Sequence, residues 1–250
     1  MGEVRCGFAA EVIPTPLFLE LYGYGPFLGR RNRGVRDPLY CRAASVSDGA
    51  SRVILIVSDL VTMDPGAAQR VRQAVRAATG AAPENILVSA THTHSGPTVS
   101  PGIGWGEFAP AFQAEWVAVA TRTGIAAARD EAPVTARAGR APLSRPLGVN
   151  RVVAGGPTDP EIRWLRFDAA DGRAKLLIHN HAMHAVVFGP RMLRVSADWP
   201  GEVNRLIVER RLARHALFLQ GTAGNINTAP ACCAEAEGEP ELRQIGRAHV

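Results

Sequence analysis

Five of the seven histidines in this chain fall in two short clusters. The first is Thr91-His92-Thr93-His94-Ser95-Gly96-Pro97, which follows the apolar run Ile86 to Ala90. Alternate residues of a strand point to one face, so if the extended geometry of that run persists, His92 and His94 aim their imidazoles the same way. Two neighbouring imidazoles supply half of a tetrahedral metal site. Gly96-Pro97 then turns the chain and leaves both rings at an element end. The second cluster is His179-Asn180-His181-Ala182-Met183-His184, after the apolar stretch Leu176 to Ile178. On a strand His179 and His181 share a face while His184 lies past its end, so spacing alone does not choose a ligand among the three. A lone His-x-His is more often a solvated strand end than a ligand pair. The second cluster is what favours a metal.

The elements that must position these residues can be read from pattern and punctuation. Phe8 to Val12 reads as an opening strand, followed by a loop rich in Gly, Pro and aromatics from Pro14 through Gly34 that either covers the site or connects structure. Leu39 to Val46 and Val53 to Val57 read as strands joined through a turn at Asp48-Gly49. Asp64 is a good N-cap, Pro65 suits the first helical position, and Ala67 to Ala78 is helix-forming until Gly80 stops it. With Ile86 to Ala90 this makes a βαβ unit, whose strands should be parallel with a right-handed crossover. Open α/β sheets place ligands just beyond the carboxyl ends of such strands, where His92 and His94 lie. Glu107 to Asp130 reads as a long helix with Trp116, Val119 and Ile125 as core residues. Val134 to Gly139, Ile162 to Phe167 and Ala174 to Asn180 read as strands, the last two joined by a hairpin at Asp171-Gly172. A helix over Gly201 to Ala213, capped by Asp198 or Ser196, and a strand over Ala216 to Gln220 complete the pattern. The expected fold class is α/β, with mixed sheets flanked by helices in one domain.

Composition narrows the function. A hydrophobic content of 46% over 250 residues builds a substantial core. The net charge of +5 comes from a basic set that is nearly all Arg, Lys175 being the only lysine, scattered without a stripe or interleaved aromatics. No nucleic-acid partner is therefore expected. The densest basic group, Arg30-Arg31-Asn32-Arg33, is a weak candidate for contact with an anionic substrate. The four cysteines, Cys6, Cys41, Cys232 and Cys233, fit neither a disulfide framework nor a Cys-x-x-Cys zinc site and read as free thiols. No run approaches a membrane span and no signal peptide precedes Pro16. A cytoplasmic location is the default, with secretion open if the true start lies upstream. The oligomeric state is not legible.

Several stretches match one family together: Gly23-Tyr24-Gly25, Gly34-Val35-Arg36-Asp37-Pro38-Leu39-Tyr40, Asp59, Thr-His-Thr-His-Ser-Gly-Pro, Asn150-Arg151, Asn180 to Pro190, Ser196 to Gly201, and Leu219 to Asn227. In these the chain resembles the neutral/alkaline non-lysosomal ceramidase family, in its N-terminal catalytic domain. The resemblance implies one zinc ion held by His92 and His184, with a Glu and a Tyr from farther along the chain. It implies that His94 lies beside the metal and transfers protons, and that a metal-activated water attacks the carbonyl of a lipid-like or small-molecule linear amide. Backbone N–H groups of Gly221 to Gly224, with Asn150 and Arg151, are the candidate oxyanion donors, and Asp198 is either a helix cap or a hydrogen-bond partner of a ligand histidine. The family's loop has Asp and a final Ser where this chain has Asn225 and Asn227, so the resemblance is to the broad bacterial branch and does not single out ceramide. Two other readings use the same residues: a metal hydrolase of esters or other C–N bonds, and a non-catalytic binding relative.

The family's Glu and Tyr ligands are expected beyond Asn227, and Ala229 to Gln244 supplies no matching tyrosine. Ile245-Gly246-Arg247-Ala248-His249-Val250 is what a sequencing adapter, ATC GGA AGA GCA CAC GTC, encodes, and the adapter's preceding AG completes a codon for Gln244. The expectation is a partial catalytic domain over residues 1–244, followed by a translated adapter at 245–250 in which His249 has no function.

Overall fold

The computed structural model describes residues 2–25 and 27–250. Strands β1 (Arg5–Val12), β2 (Tyr40–Ser47) and β3 (Arg52–Ser58) form an antiparallel ladder. The Asp48 carboxylate closes the β2–β3 turn by accepting from the N–H groups of Ala50 and Ser51 at 3.0 and 2.8 Å. Helix α1 (Pro65–Thr79) starts where the Asp64 carboxylate accepts from the Ala67 N–H at 2.7 Å, with Pro65 at the first helical position. It stops at Gly80, whose φ of 71° lets its N–H reach back to the Arg76 carbonyl. Strand β4 (Ile86–Ala90) then runs parallel to β3, with Ile54 opposite Ile86, which completes the expected βαβ unit. Helix α2 (Pro110–Arg129) begins three residues later than the sequence pattern suggests. Proline is favoured at the first helical turn, and the Glu107 N–H donates instead to the Glu20 carboxylate at 2.9 Å. Strand β5 (Ala132–Pro133) pairs with β1, giving the sheet order β4-β3-β2-β1-β5.

The second half contains β6 (Thr135–Pro142), β7 (Gly148–Asn150), β8 (Glu161–Asp168), β9 (Ala174–His181), α3 (Asp198–Glu209), β10 (His215–Gln220), β11 (Ile226–Thr228) and α4 (Glu235–Ala248). The second sheet has the order β10-β9-β8-β6 and is antiparallel except for β9 and β10, while β7 and β11 form a separate antiparallel pair. Helix α3 starts and ends earlier than the Gly201 to Ala213 of the sequence reading. Its N-cap is Ala197, without a side-chain cap bond, so neither Asp198 nor Ser196 occupies the capping position.

Four layers result. Cys6, Ala44 and Val57 of the first sheet meet Phe167, Leu176, Ile178 and Leu217 of the second in an apolar seam. The outer face of the first sheet packs through Ile54 and Ile56 on Val71 and Val75 of α1 and on Trp116 and Val119 of α2. The outer face of the second packs through Ala216 and Phe218 on Trp199, Val203 and Ile207 of α3 and on Leu242 and Ile245 of α4. Both sheets are thus covered on both faces, and mixed sheets flanked by helices are what the molecule is built from. All four cysteines are free thiols. Among the described residues no helix is long and apolar enough to cross a membrane.

Candidate metal centre

The carboxyl ends of β4 and β9, one strand from each sheet, meet through an isolated parallel bridge between Thr93 and Ala185. That bridge brings three histidines together. One ring nitrogen of each of His92, His94 and His184 lies within 4.8 Å of the others, and the His92 and His184 ring centroids are 4.9 Å apart. His92 does not continue the strand, as the period-two reading assumed: its φ of 69° is in the left-handed region, and its N–H donates to the Leu60 carbonyl at 2.9 Å. Such backbone stores strain of order 1–3 kcal/mol and clusters at functional sites. The kink, rather than strand alternation, makes His92 and His94 converge, with ring planes 82° apart.

Neutral imidazoles are the metal-binding form. Burial lowers the pKa of all three rings; for His94 burial, then the adjacent His92 and His184, push it down to about 2. His92 Nε2 and His94 Nε2 are 3.3 Å apart, close to the ~3.3 Å edge of a tetrahedron of nitrogens ~2.0–2.1 Å from a zinc ion. Distance alone admits all three as ligands. The other ring nitrogen separates them. His92 Nδ1 donates to the Val61 carbonyl at 2.6 Å and His184 Nδ1 to the Ile226 carbonyl at 3.1 Å. Each bond fixes the tautomer whose Nε2 lone pair faces the cluster, as metal-ligating histidines require. His94 Nδ1 is buried with no partner. His179 and His181 lie on the other side of β9: His179 Nε2 meets Asn204 Oδ1 of α3 at 2.9 Å, and the His181 ring packs on Trp199.

The other expected residues divide. Asp198 is buried and bonds to no histidine. It is a main-chain clamp, accepting from the N–H groups of Trp199 at 2.7 Å, Phe188 at 3.2 Å and Val187 at 3.3 Å, while the Trp199 indole N–H donates to the His184 carbonyl at 2.9 Å. Burial raises the Asp198 pKa to about 6 against the pull of those donors. Asn150 is a loop organiser: its Oδ1 accepts from Val152 and Val153, and its Nδ2 donates to the Pro157 carbonyl. The Arg151 N–H donates to the Asn225 carbonyl, and two guanidinium N–H groups donate to the Gly224 carbonyl at 2.7 and 3.1 Å. The Gly221 N–H donates to the His181 carbonyl and the Ala223 N–H to the Gly221 carbonyl, so neither is free for an oxyanion. Among the described residues the Gly224 N–H has no such partner, and Gly224 borders open space. Asn227 lies on β11 with its Oδ1 buried and unpartnered.

The Val61 and Ile226 carbonyls were beyond the reach of sequence, because any residue type supplies a carbonyl. Within the loop from Pro14 to Gly34, Gly23 covers the site: it lies against His94 so closely that a Cβ there would stand 2.6 Å from His94 Cγ. A cavity of about 760 Å³ is lined by Tyr40, Arg42, Asn204 and His215 and by none of the three clustered histidines.

No family model matches the chain, and no curated protein matches it in sequence. Two solved structures superpose on the whole of it. One is neutral ceramidase from Pseudomonas aeruginosa, with a TM-score of 0.86, 22% identity and 44% of that chain covered; the other is a ceramidase complexed with C2, with a TM-score of 0.84, 22% identity and 43% of that chain covered. The chain therefore has the fold found in these ceramidases, and spans less than half the length of either.

Proposed function

We propose that the chain carries part of the active site of a zinc-dependent hydrolase of linear, lipid-like amides. The observation that supports this most is the pair His92 and His184, each with a main-chain carbonyl on Nδ1 and a free Nε2 aimed at the same space. Zinc held there would supply Lewis acidity, polarising an amide carbonyl and making water acidic enough to attack it near neutral pH. His94, bound through neither nitrogen to the main chain, takes the proton from the attacking water and returns it to the leaving amine. The Gly224 N–H stabilises the oxyanion, and Arg151 holds the Gly224 carbonyl so that the loop stays formed. Among the described residues no carboxylate joins the three histidines. With His94 kept for proton transfer, His92 and His184 are two protein ligands, one fewer than a catalytic zinc takes, so the 250-residue chain should bind zinc weakly and turn over little substrate.

The test is zinc titration of the purified chain, with hydrolysis of N-acyl amines and the matching esters measured on a protein encoded by the resequenced locus. The expected outcome is zinc binding lost in His92→Ala and His184→Ala, with the longer protein cleaving amides in preference to esters. Zinc binding indifferent to both substitutions would overturn the site. Bound zinc without hydrolysis of either substrate class would favour a binding relative, and preferential ester cleavage an esterase.

A further inference from the structure

His94 has an unusual support for a group that must hold its orientation. Among the described residues its Nδ1 is buried without a partner, and its Nε2 comes within hydrogen-bond distance of His92 Nε2 alone. Hydrogen bonds to fixed groups therefore do not aim the ring, and packing must do so. One wall is the Gly23 main chain, at a φ of 113° that excludes a Cβ. The second is the edge of Tyr24, whose ring lies 5.0 Å from the imidazole at 68°. Tyr24 is itself fixed, its hydroxyl donating to the Phe188 carbonyl.

Beneath both walls lies Arg30, 5% exposed. Among the described residues no carboxylate pairs with it. Its guanidinium donates to three main-chain carbonyls, Pro190 at 2.8 Å, Met192 at 3.2 Å and His94 itself at 3.3 Å, and sits 4.9 Å from the centre of the Tyr24 ring. A buried cation is destabilising unless its donors are satisfied. Here carbonyl dipoles and an aromatic face satisfy them, where the 188–192 segment, the Gly23-Tyr24 loop and the His94 main chain meet.

From this geometry we infer that Arg30 is a positioning residue for His94, acting through the His94 carbonyl and through Tyr24 to hold the imidazole against the His92 and His184 pair. The fork is specific to arginine, because three carbonyls lie in different directions and a lysine ammonium cannot span them while facing the ring. The inference rests on the proposed reaction only for what His94 does; the orientation of its ring is testable without catalysis.

The experiment records ring-nitrogen NMR spectra of the metal-free 250-residue protein and of Arg30→Lys, with His92, His184 and the distant His179 as internal references. The expected result is one narrow His94 signal set in the parent, broadened or split in Arg30→Lys, while His92 and His179 keep their shifts. Tyr24→Leu should broaden His94 in the same way, and Tyr24→Phe, which keeps the ring, should leave it narrow. A folded Arg30→Lys protein with unchanged His94 signals overturns the inference. If that variant does not fold, a narrow His94 signal in Tyr24→Leu overturns it equally. In the longer protein Arg30→Lys should lower kcat by roughly 10²-fold with KM unchanged, the cost of a misplaced group. Loss of zinc hydrolysis altogether would remove the proposed reaction and leave the NMR outcome standing.

Discussion

A buried imidazole whose Nδ1 meets a main-chain carbonyl has one tautomer, and one without that partner has two. His92 and His184 are of the first kind and His94 of the second. On the proposed reading this distinction separates the roles: a ligand needs a permanently available lone pair, whereas a proton carrier must exchange acceptor for donor. His94→Asn in the protein encoded by the resequenced locus should leave zinc content near normal while hydrolysis falls by roughly 10²–10⁴-fold. His92→Asn should lose the metal and keep the fold, since Asn tolerates the left-handed backbone that His92 adopts. Metal analysis beside activity decides this, and zinc lost from the His94 variant but kept by the His92 variant would exchange the two roles.

At the scale of elements, the legible parts were those with local causes. Asp64, Pro65 and Gly80 mark both ends of α1, and Ile86–Ala90 is bounded by what surrounds it, so these elements and the parallel β3–β4 pairing could be read from the sequence. The pair β7 and β11 could not, because three-residue strands joined across a long stretch of chain have no period to detect. Helix α4 was hidden by Pro240 inside it, and its burial depends on α3 arriving from elsewhere. The two histidine clusters were legible as chemistry, but their convergence depends on the kink at His92 and on two carbonyls that no side-chain pattern encodes. Long-range polar contacts set one boundary as well: the buried Asp59 carboxylate at the end of β3 accepts from the Tyr40 N–H at 2.9 Å and pairs with Arg42 at 2.7 Å. Arg42→Met would leave that buried carboxylate without its cation, and urea unfolding should show destabilisation of about 3–5 kcal/mol. A change below 1 kcal/mol would mean that the main-chain donor alone satisfies Asp59.

At the scale of the whole molecule, all seven histidines are shifted down, chiefly by burial, His179 to about 4. A histidine held neutral in the fold protonates first in the unfolded chain, so its contribution is present above pH 6.5 and is lost as pH falls through the folded value. Asp198 and Asp37, raised by burial, oppose this between their folded and ordinary values, but two carboxyls face seven imidazoles. Thermal stability should therefore fall steadily from pH 6.5 towards 4, and His179→Gln should remove a part of that loss on the order of 3 kcal/mol. An unchanged pH slope in His179→Gln would show that His179 does not contribute. We propose, from the codon match alone, that residues 245–250 are translated adapter, and a genomic frame encoding them before a stop would refute it. Ile245 is buried against α3 and the second sheet, and His249 stacks on Trp199 at 5.0 Å.

The parallel bridge between Thr93 and Ala185 gives the site a mechanical meaning. His92 hangs from the first sheet and His184 from the second, so an ion shared between them would act as a removable rivet through the seam of the four-layer stack. Chelation would then loosen the registry of the two halves as well as emptying a site, and each tenfold rise in free metal above its dissociation constant would tighten the stack by about 1.4 kcal/mol.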